Sequence, residues 1–236
     1  SLQFTDGSAM AFLDLLPRAT EGNDVINGSG GADTIDALAG NDTVNAGAGN
    51  DTITGGTGND TLFGSAGNDT YVFNLGDGVD TVTDTTANGD TNTIVFGVGI
   101  DPASLSLGLG SLLIHYGNQG DAIHITGFDP NDAYNPLSIG EFHFADGTLL
   151  AYADLINLGF NLNGTNGDDV ISGTNATDRI IGGLGNDTLN GGAGDDIYFY
   201  ALGDGSDTVQ DGAGNDILAL SGVALPDLNT SVSGED

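Results

Sequence analysis

The sequence has no cysteine and no lysine, and its 236 residues include only two basic side chains, Arg18 and Arg179. Without cysteine, neither disulfides nor thiolate metal sites are available, so whatever staples the fold is an oxygen-liganded cation or the packing itself. Against the two arginines stand 34 acidic residues, a formal net charge of −32, which repels nucleic acid and anionic membrane surfaces. No apolar stretch is long enough to span a bilayer as a helix, and Ser1 to Leu16 lacks the basic start and long apolar run of a signal peptide. The parts of an active site are missing too. His115, His124 and His143 fall within strand-like alternation and show no zinc-binding spacing, the serines form no GxSxG elbow, and the two arginines are far apart. Paired carboxylates are frequent but lie in a repeat register, which suits ligands better than a glycosidase pair. The chain is expected not to be an enzyme.

What is abundant is glycine, 41 residues against five prolines, and that excess points to a period. Read in steps of nine from Ala19, the chain gives ATEGNDVIN, GSGGADTID, ALAGNDTVN, AGAGNDTIT, GGTGNDTLF and GSAGNDTYV. Glycine holds the fourth place (Gly22, Gly31, Gly40, Gly49, Gly58, Gly67) and aspartate the sixth (Asp24, Asp33, Asp42, Asp51, Asp60, Asp69). A second block from Gly164 reads GTNGDDVIS, GTNATDRII, GGLGNDTLN and GGAGDDIYF, with Asp169, Asp178, Asp187 and Asp196 in the same place. Its second copy is degenerate, with Ala176 and Thr177 in place of glycine and asparagine. Regularly spaced aliphatics distinguish this chain from an acidic disordered tail.

Each column has a physical reason. Glycines in the first six positions permit a tight turn whose carbonyls converge, and an aspartate closes it. The last three positions form a brief strand whose middle residue (Ile26, Ile35, Val44, Ile53, Leu62) points inward while its neighbours point out. Two copies make one coil of a parallel roll, and stacked coils bring aspartates and carbonyls around common points. Such a hard oxygen cage, at about 2.3 to 2.6 Å, suits Ca²⁺ better than Mg²⁺ or zinc. Short glycine-rich coils bury little apolar surface, so folding and ion binding are expected to be one event.

The pattern GGxGxDxUx, U being aliphatic, resembles the nonapeptide of RTX proteins, the haemolysin-type calcium-binding repeat family. Each block ends in a related segment, YVFNLGDGVDTVTD from Tyr71 and YFYALGDGSDTVQD from Tyr198, which resembles the closing motif after RTX blocks. Asp77, Asp80 and Asp84, and likewise Asp204, Asp207 and Asp211, are then either side-chain ligands of a terminal ion or a solvated acidic turn. Between the blocks, TIVF, SLLIHY, AIHITGF and EFHFADGTLLAYADLI alternate apolar and polar residues, which reads as antiparallel strands. This stretch is similar to the haemolysin-type calcium-binding-related domain. The expected fold is all-β: two parallel β-rolls of calcium-binding nonapeptides separated by a small antiparallel β domain. The expected divisions are a tail of a preceding β domain (1–18), a first roll with its cap (19–91), the related domain (92–160), a second roll with its cap (161–214) and the start of a further β domain (215–236).

The resemblance implies export through a type I channel to the cell surface or medium, with several calcium ions as cofactors. Two functions follow from it: a structural or adhesive extracellular array, and the secretion and folding module of an RTX enzyme or toxin. The repeats without a catalytic domain favour the first. FTDGSAMAFLDLL at Phe4 parallels FADGTLLAYADLI at Phe144, and NDILALSGVALPDL at Asn215 resembles NTIVFGVGIDPASL at Asn92. The simplest expectation is therefore a stretch of a longer tandem protein. Its rival is a subunit that joins further copies head to tail in a filament.

Overall fold

Three extended residues per nonapeptide make only a short strand, so the fold relies on stacking. The computed structural model describes residues 2–3, 9–10, 19–84, 89–117 and 119–224. The proposed tail at 1–18 therefore lies almost wholly outside the described residues, and so does 225–236 of the last division. Within the first block, strands Val25–Asn27, Thr34–Asp36, Thr43–Ala48, Thr52–Thr54, Thr61–Ala66 and Thr70–Phe73 follow the six copies in order. Ile26, Ile35, Val44, Ile53, Leu62 and Tyr71 are buried at their middle positions. Each strand pairs in parallel with the strand two copies on: Ile26 with Val44 and Val44 with Leu62 on one face, Ile35 with Ile53 and Ile53 with Tyr71 on the other. Odd and even copies thus build two sheets of a roll, and the aliphatic at the eighth position fills the space between them.

The chain divides into two compact units, Ser1–Ser104 with Tyr116–Thr126 and Leu137–Leu149, and Leu105–His115 with Gly127–Pro136 and Leu150–Asp236. In the first, the roll runs on past the nonapeptides. Val79–Thr83 lies parallel to Thr61–Ala66, and Asp121–Ile125 lies parallel to Val79–Thr83. On the other sheet Asn92–Phe96 pairs with Thr70–Phe73, and Ile139–Phe144 pairs with Asn92–Phe96, both in parallel. The separate antiparallel domain is accordingly not confirmed, because three of its expected strands continue the sheets of the first roll. Wider coils here hold larger side chains: Phe96 stacks on Phe144 at 5.2 Å and meets Tyr116 at 5.5 Å.

The second unit has an antiparallel pair, Ser106–Gly108 with Leu112–Tyr116, and Leu107 pairs in parallel with Phe160. From there Phe160–Asn163, Asp178–Ile181, Ile197–Ala201 and Ile217–Ser221 stack in parallel, as do Val170–Ser172, Thr188–Asn190 and Thr208–Gln210 on the other face. Ile180, Leu189 and Tyr198 are buried between them. One α-helix, Tyr152–Ile156, is found among the described residues, and no helix among them is long and apolar enough to cross a membrane. His115, His124 and His143 all lie in strands.

Candidate metal centres

A parallel ladder with a two-copy period sets each sixth-position aspartate over the one a coil earlier. The structure records this as a chain of hydrogen bonds in which each aspartate N–H donates to Oδ1 of the next. One column runs from Asp24 to Asp42 (2.7 Å), Asp60 (2.8 Å) and Asp80 (2.9 Å). Its neighbour runs from Asp33 to Asp51 (2.8 Å), Asp69 (2.8 Å) and then Asn92 (2.7 Å). In the second roll the columns are Asp169, Asp187 (2.9 Å) and Asp207 (3.0 Å), and Asp178, Asp196 (2.8 Å) and Asp216 (3.0 Å). From the second member of each column on, one carboxylate oxygen per aspartate is thereby spent on registering the coils.

The other oxygen decides the chemistry. Oδ2 of Asp42, Asp51, Asp60, Asp69, Asp80, Asp187 and Asp196, and Oδ1 of Asp178, are buried and accept no hydrogen bond. A buried carboxylate oxygen without a donor is strongly unfavourable, and the protein supplies little positive charge to answer it. Arg179 is turned away and donates from Nη1 to the Leu158 carbonyl at 3.0 Å. Burial, aided by neighbouring carboxylates, pushes Asp60 and Asp69 up to about 6, Asp178 up to about 7 and Asp80 up to about 8. Space beside these oxygens is kept free: a Cβ on Gly55, Gly64, Gly182 or Gly191 would overlap Oδ2 of Asp60, Asp69, Asp187 or Asp196. Orphaned, crowded, hard oxygens next to glycine turns fit a calcium ion.

Where a roll begins, a hydroxyl residue takes over. Oδ2 of Asp24 accepts from the N–H and Oγ1 of Thr20 at 2.6 and 2.9 Å, and Asp33 accepts likewise from Ser29 at 2.6 and 2.8 Å. Asp169 is held by Thr165 and Asp178 by Thr174 in the same way. Thr20, Ser29, Thr165 and Thr174 occupy the second place of the first two copies in each block, a place filled in the later copies by Leu38, Gly47, Gly56 and Ser65 and by Gly183 and Gly192, all of them at positive φ. Thr174 is only 3% exposed, so replacing its hydroxyl with a methyl leaves a buried carboxylate oxygen short of a donor. Thr174→Val is expected to lower stability by about 1 to 3 kcal/mol, read as an earlier urea midpoint with calcium present.

The closing motifs divide in two. Asp80 and Asp207 stand in the columns as if they were nonapeptide aspartates, while Asp77 and Asp204 accept the N–H of Asn74 and Ala201, each at 2.6 Å. Asp84 accepts from the Tyr71 hydroxyl at 2.6 Å, and Asp211 hydrogen-bonds the hydroxyl of Tyr198. Three residues of these sites fall outside the copies read in phase, Asn92, Asp121 and Asp216, although DGAGNDILA from Asp211 keeps the nonapeptide pattern with Asp216 in its sixth place. Asp121 is buried and accepts the N–H groups of Gly76 and Gly78 at 2.9 and 3.2 Å.

The model of the RTX calcium-binding nonapeptide repeat matches in four copies, at residues 18–53, 45–82, 163–198 and 201–221. The haemolysin-type calcium binding protein related domain matches residues 112–154. No curated protein sequence matches the chain. Among solved structures, the extracellular lipase LipA from Serratia marcescens aligns with 89% of this chain and 38% of its own length, at 15% identity and a TM-score of 0.18. A likeness that loose carries no argument.

Proposed function

Since the chain belongs to the RTX family of calcium-binding nonapeptide repeats, we propose that its carboxylate columns hold calcium between successive coils, as the folding staple of an extracellular structural or adhesive array. The observation that carries this reading is the set of buried aspartate oxygens that no protein donor reaches. Asp42, Asp60 and Asp80, Asp51 and Asp69, Asp187, and Asp178 with Asp196 are the first residues assigned to the ions. Asp24, Asp33 and Asp169 complete the sites from the opening coils, and Asp77, Asp84, Asp204, Asp207 and Asp211 line their closing ends. Bound calcium would supply, at the chain's own carboxylate oxygens, the positive charge that its side chains lack. The protein's share is to stack the aspartates in register, keep glycine beside them and cap the first coils with hydroxyls.

Family membership supports export by a type I system, and the family's repeats are structural calcium-binding units. Titration calorimetry of the metal-stripped chain, followed in parallel by circular dichroism, tests the proposal. Several calcium ions are expected to bind as strand content rises, with magnesium far weaker. Calcium binding without a structural change, or no binding at millimolar calcium, would overturn it.

A further inference from the structure

After their last nonapeptide both rolls add one more strand, yet only one of the two strands is covered. In the first roll Asn92–Phe96 stacks on Thr70–Phe73 and is itself overlaid in parallel by Ile139–Phe144, with Ile94 opposite Phe142 and Phe96 opposite Phe144. Ile94 and Phe96 are wholly buried as a result. In the second roll Leu218 pairs with Tyr198 as Ile94 pairs with Tyr71, so Ile217–Ser221 puts Leu218 in the place of Ile94 and Leu220 in the place of Phe96. This strand is the last of its sheet among the described residues. Leu218 is 51% exposed and Leu220 39%. Unpaired backbone N–H and C=O groups beside inward-type leucines are an edge that one more strand would complete.

The chain also holds a hairpin of the kind that covers the first roll. Ile139–Phe144 turns back into Leu149–Ala151, and the turn is closed by the Phe144 N–H, which donates to the Thr148 carbonyl at 3.0 Å. Leu2–Gln3 and Ala9–Met10 form an antiparallel hairpin as well, with Leu2 opposite Met10. A shift of 140 residues carries that pair onto Phe142 and Leu150, in the same hairpin register, and sets FTDGS from Phe4 against FADGT from Phe144. The later hairpin is the end of a six-stranded sheet, whereas Leu2–Gln3 and Ala9–Met10 pair only with each other among the described residues.

We propose that the open edge Ile217–Ser221 takes the N-terminal hairpin of a second copy of this chain, with Leu2 set beside Leu218 in parallel, so that copies join head to tail. The inference rests on the reading of the chain as a calcium-stapled array and names the joint between its members. Leu2, and Phe4 as the sequence counterpart of Phe144, give Leu218 and Leu220 the cover that Phe142 and Phe144 give Ile94 and Phe96. The contact is heterologous, the edge of one copy against the hairpin of the next, so each assembly keeps a free edge and a free hairpin and can grow. It engages one of the roll's two sheets. A small contact of this kind assembles at high rather than low protein concentration.

Two variants of the full chain, each blocking one side of the joint, test it. Leu218→Lys with Leu220→Lys blocks the edge, and Leu2→Lys with Phe4→Lys blocks the hairpin. Lysine lowers the negative charge of the chain, so lost assembly cannot come from added repulsion between copies. Mass is followed by static light scattering in calcium up to about 1 mM protein, which reaches dissociation constants in that range, and circular dichroism of the same samples reports folding. The unaltered chain is expected to grow past dimers with concentration and each variant alone to stay monomeric. An equimolar mixture of the two is expected to stop at dimers, since it offers one intact edge and one intact hairpin. A parent that is folded and monomeric, a variant that assembles as well as the parent, or a mixture that stays monomeric overturns the inference and leaves the calcium reading standing. A parent that does not fold in calcium overturns that reading and the inference with it.

Discussion

Moved from millimolar calcium into metal-free buffer at pH 8, the chain is expected to lose most of its strand signal, and lowering the pH to about 5 without metal should restore part of it. Both halves follow from the same oxygens. In the unfolded chain an aspartate titrates near its ordinary value of about 3.9, whereas burial in the roll raises Asp60 and Asp69 to about 6, Asp178 to about 7 and Asp80 to about 8. The folded state thus binds protons more tightly than the unfolded one. Below about pH 4 both states are protonated and the penalty is absent; as pH rises through the folded values, the native state must ionise buried oxygens and stability falls. Calcium works in the opposite direction. It competes with protons for the same oxygens, so its apparent affinity should rise across this window. Acid also reduces the general repulsion of a −32 chain, and 1 M sodium chloride at pH 8 separates the two effects. Salt screens exposed charges to a Debye length of about 3 Å but does not reach buried oxygens. Circular dichroism of the metal-free chain at pH 5, at pH 8 and at pH 8 with salt is the measurement. Equal strand content at the two pH values, or full recovery with salt alone, would show that buried aspartates do not govern folding.

The register of the columns was legible in the sequence because two nine-residue copies make one coil, which puts Asp42 over Asp24 and Asp60 over Asp42 without further information. The same period made the inward row of Ile26, Val44 and Leu62 readable. Strand direction was not. Alternation with period two looks the same in parallel and antiparallel sheets, so TIVF at Thr93 and AIHITGF at Ala122 read as hairpin strands, although they continue the roll in parallel. Nor could the pattern tell which aspartates are satisfied internally. Thr20, Ser29, Thr165 and Thr174 look like ordinary turn residues, and only the fold places their hydroxyls on an aspartate four residues on. Asn92 and Asp216 fell outside the register for a geometric reason. The coils that carry them are longer, with 23 residues from Asp69 to Asn92 and 20 from Asp196 to Asp216, so counting in nines passes them by. Matching Asn215 to Asn92 by sequence also missed the structural register by one residue, and that residue separates an amide from a carboxylate.

Asp60→Asn should have opposite effects with and without calcium, which no generic loss of a contact would produce. Asp60 lies mid-roll, 2% exposed, with Oδ1 bound to the Asp42 N–H at 2.8 Å and Oδ2 without a donor. Asparagine keeps the shape and the accepting oxygen, so the register between coils survives. What it removes is a charge that burial and the nearby Asp42 and Asp77 make unfavourable. Without metal at pH 8 the variant is therefore expected to be more stable than the parent, with a higher urea midpoint. With calcium the order reverses, because an amide oxygen is a weaker calcium ligand than a carboxylate and the missing charge no longer offsets the ion. A loss of at least tenfold in affinity for the sites nearest Asp60, about 1.4 kcal/mol, is a reasonable lower bound for one carboxylate in such a set. Neighbouring sites should weaken as well, since stacked repeats are coupled through nearest-neighbour interfaces. Asp24→Asn is the control: Asp24 is half-buried in the first coil and its Oδ2 is already held by Thr20, so its effects should be smaller in both conditions. Urea titrations of the parent and both variants, each with and without calcium, decide the matter. If Asp60→Asn is destabilising in both buffers, the aspartate acts as a structural hydrogen-bond acceptor and the assignment of its free oxygen to calcium fails.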